Sequence, residues 1–181
     1  MLAPRRLAAL LLLSLAAPAA GSIAVAVPIE ELARRADAVV LGRVVESEAH
    51  RARDGRNLYT RIRIAPIERW KGPEGELVLV EPGGEVGNLG QRVLGVPRFE
   101  VGEEVVVFAR RRGEGVYELI GLSQGKFRVE RGLARQDLTG LALARQAPDG
   151  AMAIGEHGEG ALSLPLDALR GRVRAALAGS P

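Results

Sequence analysis

The sequence predicts a mainly β protein, a small barrel of five to seven strands with a short helix before it and an amphipathic helix after it. Three observations predict this class. Short segments rich in β-branched residues recur between turn pairs such as Asp54-Gly55. Helical spacing of apolar residues is confined to one segment before these strands and one after them. A closed barrel also removes the exposed edges that so many apolar strands would otherwise leave.

The first 20 residues have the pattern of a secretory signal peptide. Arg5 and Arg6 form a short positive start, and the apolar stretch Leu7–Ala17 follows, whose 11 residues fit the hydrophobic part of a signal. The alternative is an uncleaved anchor, because Leu7–Val27 is as long as a membrane-spanning helix, although Pro18 interrupts it. We expect a secreted or periplasmic protein that contacts a membrane only if this segment stays attached.

Two positions match the small-residue pattern of signal cleavage. Ala17-Pro18-Ala19 predicts cleavage after Ala19 or Ala20, and Ala24-Val25-Ala26 is a second option. Cleavage at the first position removes two of the 25 basic residues and none of the 22 acidic ones, which leaves 23 against 22. The mature chain is therefore nearly neutral, and no charge field favours nucleic acid as a partner.

The predicted mature domain begins with a short helix and a buried strand. The segment Pro28–Ala38 has apolar residues at helical spacing, a proline suited to the first turn, and Glu30 and Glu31 near its N-terminal end. The helical spacing of apolar residues ends at Ala38–Val45, where almost continuous apolar and β-branched residues predict a strand buried on much of both faces. Gly42 within this strand predicts a bulge or bend.

The rest of the β array and the C-terminal helix follow from the same patterns. Further strands are predicted at Leu58–Trp70, Glu76–Glu81, Glu104–Arg110, Val116–Gly121 and Lys126–Glu130. Pro66 cannot donate to a strand ladder, so the first of these is predicted to lie at an edge or to kink there. The barrel domain then spans residues 28–138, and residues 139–163 form a loop-rich segment. Apolar spacing over Leu166–Ala178 predicts an amphipathic helix within residues 164–179.

A glycine-rich connection of 17 residues, Pro82–Arg98, is the best candidate for a binding site. It is longer than most connections between strands, so it is either functional or partly structured. Its glycines allow a partner to approach the backbone closely. The polar side chains expected to bind are Glu85, Asn88, Gln91, Arg92 and Arg98. The alternative is a mobile loop without a function of its own.

The segment Gly121–Gly125 matches the G-x-S-x-G motif of serine hydrolases, with Ser123 at its centre. That motif requires a strand, a sharp turn at the serine and then a helix, whereas here it joins two predicted strands. The alternative is a turn whose glycines supply positive φ. His157 is the only histidine that follows, and no acid, base and nucleophile converge in the sequence. We expect no catalytic residues.

We also expect no metal and no cofactor. The chain contains no cysteine, which excludes disulfides, thiolate metal sites and cysteine catalysis. The segment Glu156–Glu159 combines one histidine with two carboxylates, which falls short of the ligand set of a structural zinc site. It is interpreted as a solvated loop.

Four segments in succession resemble netrin-type modules, the group that includes the tissue inhibitors of metalloproteinases. They are ARRADAVVLGRVV, YTRIRIAPIERWKG, ELVLVEPGG and FEVGEEVVVFAR, and the similarity covers Ala33–Arg111. The resemblance implies an OB-type barrel of five strands. The chain is also similar to secreted bacterial proteins that carry PGG-x-x-G and G-x-x-Q-G-K-F-R-V segments. Because the inhibitors bind a protease zinc through an N-terminal cysteine that this chain lacks, no functional residue is carried over.

The function expected from the sequence is a secreted or periplasmic, non-enzymatic binding module. Its partner is expected to be a protein, with a protease as one candidate, and nucleic acid is not expected to bind. Two alternatives stay open: a secreted serine hydrolase that uses Ser123, and a structural protein of the cell envelope.

Overall fold

The computed structural model describes residues 21–179, which form 13 strands, two α-helices and one short 3-10 helix. The expected mainly β class, with a short N-terminal helix and a C-terminal helix, is confirmed. The expected signal peptide, residues 1–20, lies outside the described residues. Among the residues that are described, no helix is both long and apolar enough to cross a membrane.

The strands are short except for two of 14 residues each. In chain order the elements are β1 (Ser22–Val25), α1 (Ile29–Arg35), β2 (Ala38–Arg51), β3 (Leu58–Lys71), β4 (Leu77–Pro82), β5 (Gly84–Val86), β6 (Leu89–Gln91), β7 (Glu104–Gly113), β8 (Val116–Leu119), the 3-10 helix Leu122–Gly125, β9 (Lys126–Glu130), β10 (Leu133–Arg135), β11 (Leu141–Gln146), β12 (Met152–Ile154), β13 (Ser163–Pro165) and α2 (Leu166–Ala178). The C-terminal helix has the bounds that its apolar spacing predicts.

Five strands close into a ring in the order β2–β3–β4–β8–β7. All neighbours in the ring are antiparallel except β4 and β8, which run parallel and meet where Leu79 lies opposite Tyr117. Beyond the ring, β7 also pairs with β9, and the sheet continues through β10 to β13. The ring contains five strands, within the five to seven that the sequence predicts.

Strand β2 bends at Gly42, as its sequence predicts. The pairing of β2 with β3 shifts register between Leu41 and Gly42, and again between Val44 and Glu46. A Cβ atom on Gly42 would lie 2.5 Å from Ile64 Cγ2, so only glycine allows β3 to approach this closely. Pro66 of β3 lies directly opposite Gly42, where the interrupted ladder does not require its missing N–H.

The apolar side chains form two main clusters on opposite faces of the sheet. Strand β7 contributes alternate residues to them, because successive side chains in a strand point to opposite faces. Val106 and Phe108 pack with residues of α1 and α2, whereas Val105 and Val107 pack inside the ring. The helices therefore cover one face of the sheet, and the other face is left to the ring interior and the cleft described below.

The prediction that residues 139–163 are loop-rich is only partly correct, because this segment contains the strands β11 and β12. Strand β11 pairs in parallel with β1 and antiparallel with β12, and its residues from Leu141 to Ala144 are buried. The buried side chain of Gln124 fixes the end of β1, since its Oε1 accepts from Val27 N at 2.8 Å and its Nε2 donates to Val25 O. The partner of β11 thus comes from the other end of the chain.

Candidate functional site

A cleft of about 810 Å³ lies between the ring and the loop Pro82–Arg98. Its floor is one face of β2, β3 and β4, where Ala49, Thr60 and Glu81 lie opposite one another and Ser47 lies opposite Ile62. Side chains opposite one another in antiparallel strands share a face, so all five point to the same side of the sheet. The volume is typical of sites that bind small ligands or short segments of a partner.

The roof of the cleft is the hairpin formed by β5 and β6, which is tied to the floor at its base. Gln91 Oε1 accepts from Leu58 N at 2.5 Å, and Thr60 Oγ1 donates to Gly83 O at 2.8 Å. Gly84 has a φ of +135°, and a Cβ there would lie 2.6 Å from Ala49 Cβ. The glycine-rich connection is therefore partly structured, with an anchored base and an exposed tip.

Four of the five residues expected to bind line this cleft, namely Glu85, Gln91, Arg92 and Arg98. The fifth, Asn88, lies at the exposed tip of the hairpin and does not line it. Gln91 has a structural role as well, because it caps the start of β3. Arg98 and Glu85 face each other at 3.9 Å, and both side chains are largely exposed.

The wall of the cleft contains a buried ion pair that the sequence analysis missed. Lys126 Nζ lies 2.6 Å from Glu103 Oε1, 4.3 Å from the centre of the Phe99 ring, and also donates to the carbonyl of Arg98. Burial lowers the pKa of Lys126, and the hydrogen bond that Lys126 donates to Glu103 opposes this effect. The pair fastens the end of the loop to β9. The one available signal was that Lys126 is one of only two lysines among 25 basic residues.

Glu81 is the second buried charged residue of the cleft that sequence reasoning missed. Only 5 % of it is exposed, and its Oε1 accepts from Leu119 N at 2.7 Å. Burial raises the pKa of Glu81 to about 7; the hydrogen bond from Leu119 opposes the rise, and the nearby charge of Glu118 adds to it. This carboxyl group therefore changes its charge near neutral pH, on the floor of the cleft.

The G-x-S-x-G segment is a structural turn between two strands. Ser123 lies on the 3-10 helix that joins β8 to β9, whereas the hydrolase motif requires a strand followed by an α-helix. Its backbone N donates to Gly95 O at 2.9 Å. Its Oγ is buried and has no hydrogen-bond partner among the described residues, so a substrate cannot contact it in this conformation. A Cβ on Gly125 would lie 2.5 Å from Ile120 O, which explains the second glycine.

The expected solvated loop at Glu156–Glu159 lies away from the cleft, and His157 is not among the residues that line it. Glu159 Oε2 accepts from Glu156 N at 2.8 Å, which closes a local turn. Over residues 21–179, no group of three or more histidine, aspartate or glutamate side chains is arranged to hold a metal ion.

The cleft brings together the hairpin, the ion pair and the carboxyl group of Glu81. Comparison with known proteins identifies no family for the chain. No protein-family model matches the sequence. No curated protein and no solved structure matches the chain significantly either. What the cleft binds therefore has to be derived from its own residues.

Proposed function

We propose that this chain is an exported, non-enzymatic binding module whose protein partner inserts a segment into the cleft beneath the loop Pro82–Arg98. The observation that carries the proposal is the cleft itself, with a volume of about 810 Å³, a sheet as its floor and a hairpin as its roof. Rigid strands hold the floor, and the exposed hairpin tip gives a partner access to backbone and side chains.

The cleft supports binding better than catalysis because its reactive groups are engaged or inaccessible. Lys126 is held by Glu103 and is not free to act as a neutral base. The Ser123 hydroxyl is buried, and no histidine of the described chain lines the cleft to activate it. Glu81 is the only carboxyl group of the described chain whose pKa is raised to about 7, and its Oε1 already accepts a hydrogen bond from Leu119 N.

The order of the ring supports the OB-type fold that the netrin resemblance implies. An OB-fold is a five-stranded Greek-key barrel that binds its ligands on the face of its second and third strands, between neighbouring loops. In this chain the second and third ring strands are β3 and β4, and Thr60 and Glu81 from these strands lie on the cleft floor. This position of the cleft agrees with the OB-type fold that we propose.

Filling the cleft is expected to abolish binding. Ser47 lies on the cleft floor, and Glu48 follows it on the opposite face of β2, so the variants Ser47→Trp and Glu48→Trp form a matched pair. The wild-type mature protein is panned against a random dodecapeptide library displayed on phage. The affinity of the selected peptides for each variant is measured by fluorescence anisotropy. Their affinity for Glu48→Trp should equal that for the wild type, and they should not bind Ser47→Trp.

Two outcomes would count against this function. Peptides that bind both tryptophan variants equally would show that binding occurs elsewhere on the surface. Labelling of Ser123 by a fluorophosphonate probe would favour the hydrolase alternative, because that reagent reacts with activated serine hydroxyls.

The mature protein is expected to begin at Ala20 or Gly21, as measured by N-terminal sequencing of the protein from the envelope and medium. Cleavage after Ala26 is not expected, because it would remove β1, whose four residues pair with β11. An intact Met1 in the exported protein would contradict cleavage and favour the anchor.

A further inference from the structure

We propose that the segment bound in the cleft is acidic, with carboxylates that pair with Arg92 and Arg135 at its mouth. This inference rests on the proposed binding function and specifies the chemistry of the partner. It follows from which charged groups of the cleft already have partners and which do not.

Among the described residues, five acidic and five basic ones line the cleft. Every acidic residue has a partner within the protein: Glu81 accepts from Leu119 N, Glu85 faces Arg98 at 3.9 Å, Glu100 faces Arg128 at 3.4 Å, Glu103 pairs with Lys126 at 2.6 Å, and Asp137 accepts from Thr139 N at 2.9 Å. The hydrogen bonds from Thr139 lower the pKa of Asp137. Each acidic side chain of the cleft thus has a partner within the protein; Glu81 and Glu103 are buried, whereas Glu85 and Glu100 are exposed.

The basic side of the cleft is not satisfied in the same way. Arg98, Lys126 and Arg128 have the partners given above. Arg92 and Arg135 have no ion pair and no side-chain hydrogen bond to any described residue, and both are exposed.

These two arginines approach the cleft from different elements, since Arg92 lies in the loop and Arg135 ends β10. A third arginine, Arg51, shares the floor face of β2 with Ala49 and is likewise unpaired among residues 21–179. Free guanidinium groups bind carboxylates through two parallel hydrogen bonds.

The rest of the lining favours a peptide over other anions. Half-buried apolar side chains contribute to the lining, among them Val93 and Val96. A small inorganic anion would leave this apolar surface uncovered. Single-stranded nucleic acid binds through aromatic side chains on which its bases stack. Phe99 is the only aromatic residue within residues 21–179 that lines the cleft, and it is 8 % exposed beneath Lys126. An extended segment with alternating acidic and apolar residues complements both parts of the lining.

The test uses the same peptide selection and asks what charge the selected peptides carry. Peptides that bind the wild type are expected to have a net negative charge, and their affinity for the Arg92→Glu/Arg135→Glu variant should fall by on the order of tenfold or more. Selection on that variant should yield basic peptides. The control is Arg174→Glu, which changes an exposed arginine of α2 away from the cleft and should leave binding unchanged.

The outcomes separate this inference from the function on which it rests. If neutral or basic peptides bind the wild type but do not bind Ser47→Trp, the acidic assignment is overturned and the binding function stays intact. If no peptide depends on Ser47, the binding function fails as well. Inorganic phosphate, citrate or a single-stranded oligonucleotide that binds through the two arginines, while acidic peptides do not, would also overturn the inference. Circular dichroism checks that each variant is folded. The variant Arg92→Gln/Arg135→Gln removes the two charges without reversing them, so its affinity for acidic peptides should fall less than that of the glutamate variant.

Discussion

Replacing Lys126 by methionine is expected to lower the free energy of unfolding by about 3–5 kcal/mol, because the change leaves the Glu103 carboxylate buried without its partner. The exposed fractions of the two side chains are 11 % and 3 %, and Glu103 also accepts from Glu100 N at 2.9 Å. Methionine retains the apolar stem against Phe99, so the decrease in the free energy of unfolding is due mainly to the missing charge of Lys126. Urea denaturation of the mature wild type and variant at neutral pH measures this decrease.

Two variants act as controls for the Lys126 prediction. The double change Lys126→Met/Glu103→Gln removes both charges and should recover much of the loss, because no unpaired ion is then buried. Arg128→Met breaks two exposed pairs, with Glu100 and Glu130, and should cost less than about 1 kcal/mol. If Lys126→Met costs no more than Arg128→Met, the buried pair does not hold the loop to β9.

Replacing Glu81 by glutamine is expected to stabilise the protein above pH 7 by up to roughly 3 kcal/mol and to flatten part of its pH dependence. In the folded protein burial raises the pKa of Glu81 from 4.5 to about 7. Between these two values the folded state holds a proton that the unfolded state has released. The contribution of Glu81 to stability is therefore present below pH 4.5 and lost as the pH rises to about 7.

Glutamine stays neutral throughout and can still accept the hydrogen bond from Leu119 N. Thermal unfolding of wild type and Glu81→Gln between pH 4.5 and 8 should therefore give curves that converge at acid pH and diverge towards pH 8. Glu74→Gln is the control, since the side chain of Glu74 is fully exposed and its curve should run parallel to that of the wild type. Parallel curves for Glu81→Gln would show that this carboxyl group has an ordinary pKa.

Local patterns in the sequence were sufficient to predict the two α-helices and six of the 13 strands between residues 21 and 179, including all five strands of the ring. Alternating and continuous apolar runs identified the ring strands, and helical spacing placed α2 at Leu166–Ala178. Gly42 predicted a bulge or bend because a glycine inside a strand marks one, and the structure adds that a Cβ there would lie 2.5 Å from Ile64 Cγ2. Strand β11 was missed, since its partner β1 is more than a hundred residues away and neither strand is long enough to be recognised alone.

The candidate site was only partly predictable, because it too depends on contacts between segments that are distant in the sequence. The length and glycine content of the loop drew attention to Arg92 and Arg98, because both are properties of one contiguous segment. The meeting of Lys126 with Glu103, and the burial of Glu81 near Leu119, depend on which strands become neighbours in the ring. Sequence alone therefore determined the mainly β class and the exposed loop. Only the tertiary structure decided which charges are buried, which are paired and which face a partner.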